Sequence, residues 1–381
     1  MRLFVQKIGF SGLLSSEAVK AFRVNELARE CGFDLAGVAG AGPVPEASFY
    51  PEWLAQGYAA EMAYLKGHRG EMRADPRSLL PTAKSLICTG LVYNTASPGT
   101  ADADAGTQGW VSRYAWGEDY HALIRARLLA LVEAIRSEAG PFDFKVAVDT
   151  SPLLERAYAH HAGLGWIGKN TCLINQQIGS WVLLGEILTS LELEPDQPAA
   201  FRCGTCTRCI EACPTEALVP TGLATGPAYA LHSERCISYW TIELRGSIPA
   251  AGRVQMGAHV FGCDICQDVC PWNRRAATTT EPAFQPRHML PDLEDIAALT
   301  KEEFNKRFAG SPIERSRYRG FLRNVAIAMG NSGNGKFLEA LRRMADGPDP
   351  VIQEHAIWAI ERLEQGTDSK SRAQPESRGL L

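Results

Sequence analysis

Apolar and polar positions along this chain follow three successive regimes, and each predicts a different architecture. Over residues 17–31 the apolar positions recur at helical spacing, and the run 33–38 that follows has the content of a strand. A second strand is predicted over 85–93, where Ile87, Cys88, Leu91 and Val92 belong to a nearly unbroken apolar run. Residues 120–138 place Leu123, Leu128, Leu131 and Ile135 on one side of an amphipathic helix. A strand over 144–148 should end at Asp149-Thr150-Ser151-Pro152, followed by a short helix over 153–162 and a hairpin-like stretch over 172–188. The Ala-, Asp-, Gly- and Thr-rich segment 95–109 reads as a surface loop. Together these elements predict an α+β domain over 16–199, bounded by the proline-containing segment 194–198.

Beyond Pro291 the period becomes wholly helical. Helices are expected over 321–331, 335–344 and 351–363, separated by Gly-Asn and Asp-Pro turns. This is the pattern of one pair of a HEAT-like α-solenoid repeat, assigned to 290–365. A single repeat cannot bury its own apolar face, so it should pack on the rest of the molecule. The polar tail 366–381 is expected to be disordered.

The middle regime, 200–280, is set by cysteine. Eight of the eleven cysteines lie between Cys203 and Cys270. The first run, Cys203-Gly-Thr-Cys206-Thr-Arg-Cys209-Ile-Glu-Ala-Cys213-Pro214, has the spacing that wraps a cubane iron–sulfur cluster, with the fourth cysteine reaching to a second cluster. A second run, Cys263-Asp-Ile-Cys266-Gln-Asp-Val269-Cys270-Pro271, has valine where a third cysteine is expected. Counting resolves the gap. Cys203, Cys206, Cys209 and Cys270 make one set of four; Cys213, Cys263, Cys266 and the intervening Cys236 make the other. Structural zinc and a disulfide scaffold are the competing readings, but zinc favours cysteine pairs that complete one tetrahedron and does not explain a triple run ending in Cys-Pro. The expected module is a ferredoxin-like domain with two [4Fe-4S] clusters.

At 381 residues the chain is too long for a bare ferredoxin, and a formal charge of −4 argues against a generally basic nucleic-acid binder. Thiols spaced for soft metals suit a reducing, cytoplasmic setting, with Cys31, Cys88 and Cys172 read as packing residues. The first residues are no secretory signal, and no apolar run is long enough to cross a membrane.

Four further constellations stand out. Gly163-Leu-Gly165-Trp-Ile-Gly168-Lys-Asn170 follows a helix instead of opening one, which leaves a tight turn or a place of close backbone approach to a flat cofactor. Asp119-Tyr-His121 begins like a cobalamin-ligating motif, but Ile124 stands where that motif has glycine, so His121 reads as a helix-start residue. Asp149, at a strand end, reads either as a helix N-cap or as a general acid whose pKa partial burial raises. Arg315, Arg317, Arg319 and Arg323, interleaved with Tyr318 and Phe321, form either a solvated edge or a phosphate-contacting patch.

Taken together, 112–121, 148–156, 163–170, the two cysteine runs ending in Cys-Pro-Trp-Asn, and the Arg-Gly-Phe-Leu-Arg-Asn-Val-Ala segment resemble epoxyqueuosine reductases over about residues 20–365. The resemblance implies a cobalamin-dependent enzyme that removes the epoxide oxygen of epoxyqueuosine at the tRNA wobble position. Its N-terminal domain would be a nitroreductase-like, cobalamin-binding sheet and helix domain. By the same correspondence Asp149 is the proton donor. Arg73, Ser112, Arg113, Leu173, Ile174, Asn175, Ser238 and Asp264, with Asp149, are the cobalamin contacts. The implied partners are a tRNA anticodon stem-loop and an external donor such as a flavodoxin or ferredoxin; no membrane is involved, and a monomer is expected. A corrinoid reductive dehalogenase would share the cofactors but usually carries an export signal. A non-catalytic electron-transfer protein would share only the clusters.

Overall fold

The computed structural model describes residues 21–96, 106–222 and 227–371. Residues 17–20 of the first expected helix, most of the 95–109 loop, the extension before Ser16 and residues 372–381 lie outside the described residues.

A four-stranded antiparallel sheet organises the first half, in the order Leu35–Gly40, Ser85–Val92, Val182–Thr189 and Phe144–Ala147. Every residue of Ser85–Val92 is buried, which explains its unbroken apolar run: both faces of the sheet are covered. On one face, helices Ala21–Glu30 and Tyr120–Ala139 pack Val24, Leu27, Ile124, Leu128, Leu131 and Ile135 against Val38, Ile87 and Ile187. On the other, helix Glu155–His161 packs Ala157, Tyr158 and Ala159 against Leu86, Cys88 and Leu188. Gly185 allows the long helix to lie close, since a Cβ there would meet Ile124 at 2.6 Å.

The stretch 172–188 is not a hairpin on itself. Leu173–Ile174 pairs with Trp166–Ile167, a turn closed between Asn175 and Gly179 follows, and Val182–Thr189 enters the central sheet between two other strands. The long strand finds eight pairing partners in Ser85–Val92, more than a two-residue return could offer. Helices Glu46–Ala55 and Gly67–Met72, absent from the sequence reading, lie along the chain between Leu35–Gly40 and Ser85–Val92.

The C-terminal region is helical as expected: Leu293–Ala297, Lys301–Arg307, Arg317–Asn331, Leu338–Ala345 and Pro350–Ser371. Gly330 lets two of these helices touch, for a Cβ there would sit 2.8 Å from the Ala359 backbone. The last helix runs on to Ser371, past the point where the tail was expected to begin. These helices do not stand alone. Phe304, Phe308, Phe321, Val325 and Met329 share one core with Trp110, Trp116, Val260 and Phe261 from the middle of the chain. A short parallel pairing of Trp110–Val111 with His259–Phe261 anchors that junction. No helix among the described residues is long and apolar enough to cross a membrane.

Candidate active site and cysteine centres

The eight cysteines of the middle region separate spatially into two groups. Cys203, Cys206, Cys209 and Cys270 line one pocket together with Lys169, Asn170, Ile174, Pro271 and Trp272. Burial and the neighbouring Cys203, Cys270 and Cys206 push the Cys209 thiol to about 11. Trp166 directs its indole N–H at Cys203 Sγ, 3.5 Å away, and Lys169 Nζ donates to the carbonyls of Gly204 and Cys206 at 2.9 and 3.0 Å. In the other group, burial raises the Cys236 and Cys263 thiols, and each is raised further by the rest of the set: Cys213 acts on Cys236, Cys236 and Cys213 on Cys263. Cys266 is raised by a hydrogen bond with Cys172 and by burial, with Cys263 and Cys236 adding. Cys236 and Cys263 pack beside Ile237, Tyr239, Trp240, Met256 and Ile327. Cys213 Sγ accepts the Ala217 amide at 3.3 Å. Cysteines gathered in fours are the ligand sets that iron–sulfur cubanes use, so both groups fit that chemistry. Cys172, read from sequence as a packing residue, lies beside Cys266 and between the two groups.

Asp149 follows strand Phe144–Ala147 with φ +49, a backbone conformation that favours glycine and asparagine. It caps no helix: the residue before Glu155–His161 is Leu154, which makes no side-chain cap. Instead, the Asp149 carboxylate lies 3.4 Å from His121 Nε2 and 3.6 Å from Arg315 Nη1. His121 is held from behind, its Nδ1 2.6 Å from Asp119 Oδ1, while Asp119 also accepts the His121 amide as N-cap of Tyr120–Ala139. Arg315 donates to Glu243 at 2.6 Å and to Tyr64 Oη at 3.3 Å. Arg69 pins the following turn by donating to the Thr150 carbonyl at 2.5 Å.

This arrangement corrects the expected charge state. Burial alone would raise the Asp149 pKa, but the nearby His121 Nε2 at 3.4 Å and the charges of Arg315, His121 and Arg156 more than offset it, so the carboxyl sits below its ordinary value. The proton is instead on His121, whose contacts with Asp119 and Asp149 raise it from 6.5 to about 9. Behind Asp149 lie two further carboxyls. Glu155 is pushed to about 8 by burial and the Asp149 charge, and accepts the Asp149 amide. Glu186, fully buried in the central strand with neither oxygen hydrogen-bonded, is raised well above the carboxylate range by burial. His121 was visible in sequence only as a helix-start residue, and Glu186 only as the lone charge in an apolar strand.

The expected cobalamin contacts do not all fall in one place. Ser112 Oγ donates to Asp264 Oδ1 at 2.5 Å and the Arg113 amide to Asp264 Oδ2 at 2.7 Å, all three residues being buried. They brace the second cysteine run; burial lifts Asp264 to about 6 despite these donors. The Arg113 guanidinium lies between the rings of Trp116 and Trp181. Leu173, Ile174 and Asn175 form the edge of the short hairpin, with Asn175 Nδ2 donating to the Leu164 carbonyl at 2.7 Å. Gly165 and Gly168 are small because a Cβ would strike Ile174 at 2.4 and 2.5 Å, so the close approach is to this hairpin. Beside the hairpin opens a groove of about 640 Å³, lined by Pro45, Phe49, His160, Trp166, Gly168 and Tyr229 among others. None of the expected cobalamin contacts lines this groove, which Phe201 borders instead. Arg73 is buried and donates to the Arg69 carbonyl at 2.8 Å; Ser238 lies in the helix Ile237–Ile242 that follows Cys236.

The arginine run does not act as one surface. Arg323 is fully buried, and its guanidinium donates to the carbonyls of Leu244 at 2.9 Å, Gly246 at 2.6 Å and Trp240, which removes it from any phosphate-contacting patch. Arg315 turns inward to Asp149. Arg319 is exposed and paired with Asp349 at 2.6 Å, and Arg317 begins the helix with φ +57.

Two thiol sets and a carboxylate–imidazolium–guanidinium cluster in one chain are the parts expected of an iron–sulfur oxidoreductase. Comparison with known proteins narrows this class. Residues 73–150 match the family described as "Epoxyqueuosine reductase QueG, DUF1730", and 202–273 match the "4Fe-4S double cluster binding domain". An epoxyqueuosine reductase from Xanthomonas campestris pv. campestris is 42% identical over 345 residues, covering 89% of this chain and 95% of that one. The chain belongs to the epoxyqueuosine reductase family. A crystal structure of an epoxyqueuosine reductase with a tyrosine tRNA stem loop bearing epoxyqueuosine superposes with a TM-score of 0.81 at 28% identity, over 93% of this chain and 94% of that one. The Bacillus subtilis enzyme, in a structure with its catalytic aspartate loop swung out of the active site, gives 0.79 at 28% identity, over 93% and 95%.

Proposed function

We propose that this protein reduces epoxyqueuosine to queuosine at the wobble position of tRNA. The observation that carries the reading is the placement of Asp149 between His121 and Arg315, in a chain of this family whose eight cysteines gather in two sets of four. The reaction consumes two electrons and two protons and releases the epoxide oxygen as water. When bound, two [4Fe-4S] clusters held by the two cysteine sets pass electrons singly, and cobalamin supplies a low-valent cobalt able to open the epoxide. Leu173, Ile174, Asn175, Ser238 and Arg73 would hold the corrin, with Ser112, Arg113 and Asp264 bracing the second cysteine run.

The protein's own part is proton supply and charge placement. A departing epoxide oxygen becomes an alkoxide and needs a proton at once. The His121 imidazolium, fixed by Asp119, holds that proton near Asp149, and Asp149 relays it to the oxygen. Arg315 adds a positive charge where negative charge grows on the substrate oxygen. The wobble base of a single-stranded anticodon loop can be splayed into such a site. Arg317 and Arg319, at the open edge, would hold the loop's phosphates. The test is anaerobic purification with iron, sulfide and cobalt analysis, followed by nucleoside mass analysis of epoxyqueuosine-containing tRNA after incubation with reductant.

A further inference from the structure

The outer surface around the first three-cysteine run has features that the proposed chemistry does not use. Arg202 and Arg208 flank the run, and Arg274 and Arg275 follow the turn through Cys270 and Trp272. All four are exposed, and none makes an ion pair among the described residues. By contrast, Arg77, Arg287, Arg307, Arg319 and Arg343, on other parts of the surface, each pair with a carboxylate within 2.6 Å. Residues 200–210 and 269–280 contain no Asp or Glu at all, in a chain whose net charge is −4. Glu211, Asp268 and Glu281 border these stretches, yet the four arginines stay unpaired, which points to an anionic partner.

Next to Arg202 stands Phe201, 54% exposed, on the groove it shares with Trp166 and Lys169, while Trp272 lines the pocket of Cys203, Cys206, Cys209 and Cys270. Trp166 touches Trp272 edge to face, with ring centroids 5.0 Å apart, and reaches Cys203. The second cysteine group is packed within the Ile237–Ile242 side, whose neighbouring Glu243 meets Arg315 at the Asp149 site. The first group is therefore the outer station and the second the inner one. We propose that this face, carrying Phe201, Arg202, Arg208, Arg274 and Arg275, is the docking surface for a small acidic electron-transfer protein. Its reduced centre would lose one electron per encounter to the outer cluster. The inference rests on the two-cluster reading of the cysteines.

The experiment uses the cofactor-loaded full chain and follows bleaching of cluster absorbance in stopped flow, a readout independent of the tRNA reaction. Reduced flavodoxin or ferredoxin, both acidic, is one reductant; photoreduced deazaflavin, small and without net charge, is the other. R202E/R208E/R274E should slow bleaching by the protein donor roughly tenfold or more and abolish its salt dependence. Bleaching by deazaflavin, iron content and tRNA affinity should be unchanged. The milder R202Q/R208Q/R274Q should show the same selectivity if charge reversal lowers iron loading. Equal rates with the protein donor, or an equal loss with deazaflavin, would overturn the proposal. A fall in tRNA affinity with unchanged donor kinetics would overturn it too, marking the face as a nucleic-acid contact. Failure of the wild type to convert epoxyqueuosine while its clusters still bleach would count against the functional reading alone.

Discussion

Replacing His121 by asparagine removes the charge that makes Asp149 a renewable acid while keeping a side chain able to hydrogen-bond. The imidazole is raised from 6.5 to about 9, which at 1.36 kcal/mol per unit is about 3 kcal/mol of preference for the charged form. The ring is 32% exposed, so solvent screening leaves roughly 1–2 kcal/mol of it as folding stability. The sign follows from a raised value in the folded state: this stability is fully present below pH 6.5 and is lost as pH rises through about 9. Titration of the His121 ring by NMR, assigned by its absence in H121N, should give a midpoint well above 6.5. Single-turnover reduction should fall by roughly 10²-fold in H121N, with iron and cobalt content unchanged. The wild-type rate should decline above about pH 9, a limb that H121N lacks. A His121 midpoint near 6.5, or a mutant with the wild-type rate and pH profile, would refute the imidazolium as proton source.

Cys236→Ser should lower bound iron towards half, since Cys236 stands with Cys213, Cys263 and Cys266; about eight irons per chain in the mutant would show the grouping wrong. Arg323→Ala strips the partner from the buried Trp240 carbonyl and the half-buried Leu244 and Gly246 carbonyls, and at about 1–3 kcal/mol for a buried unsatisfied group should cost at least ~1 kcal/mol of stability in chemical denaturation, with little effect on tRNA affinity of the folded fraction. R317Q/R319Q should weaken tRNA binding and flatten its salt slope by up to about two units, with clusters intact; an unchanged slope would place the phosphate contacts elsewhere.

What could be read from the sequence was what local spacing encodes. The cysteine runs announce their chemistry within a dozen residues, and the buried strand Ser85–Val92 and the long helix Tyr120–Ala139 follow from hydrophobic period alone. Long-range partnership was harder to read. Val182–Thr189 has its partners far away in sequence, so a hairpin was the nearest local guess. The arginine run looked continuous because a charge pattern does not say which side of Arg317–Asn331 faces the core, and Arg323 faces inward. Likewise, a strand-end aspartate near a pocket suggests burial and a raised pKa. Its two cationic neighbours come from a helix start well before it and from the C-terminal region, and together they reverse the sign.

The central claim is that this chain reduces epoxyqueuosine in tRNA with Asp149 delivering the proton. It is tested most directly by comparing the wild type with Asp149→Asn, both matched for iron and cobalt content, on epoxyqueuosine-containing tRNA under anaerobic reducing conditions, with the digested nucleosides weighed by mass spectrometry. The account predicts conversion to queuosine, with the loss of one oxygen, by the wild type, and a rate lower by roughly 10²–10⁴-fold in the mutant. A fully loaded wild-type protein that leaves epoxyqueuosine intact, or a mutant that converts it at the wild-type rate, would contradict it.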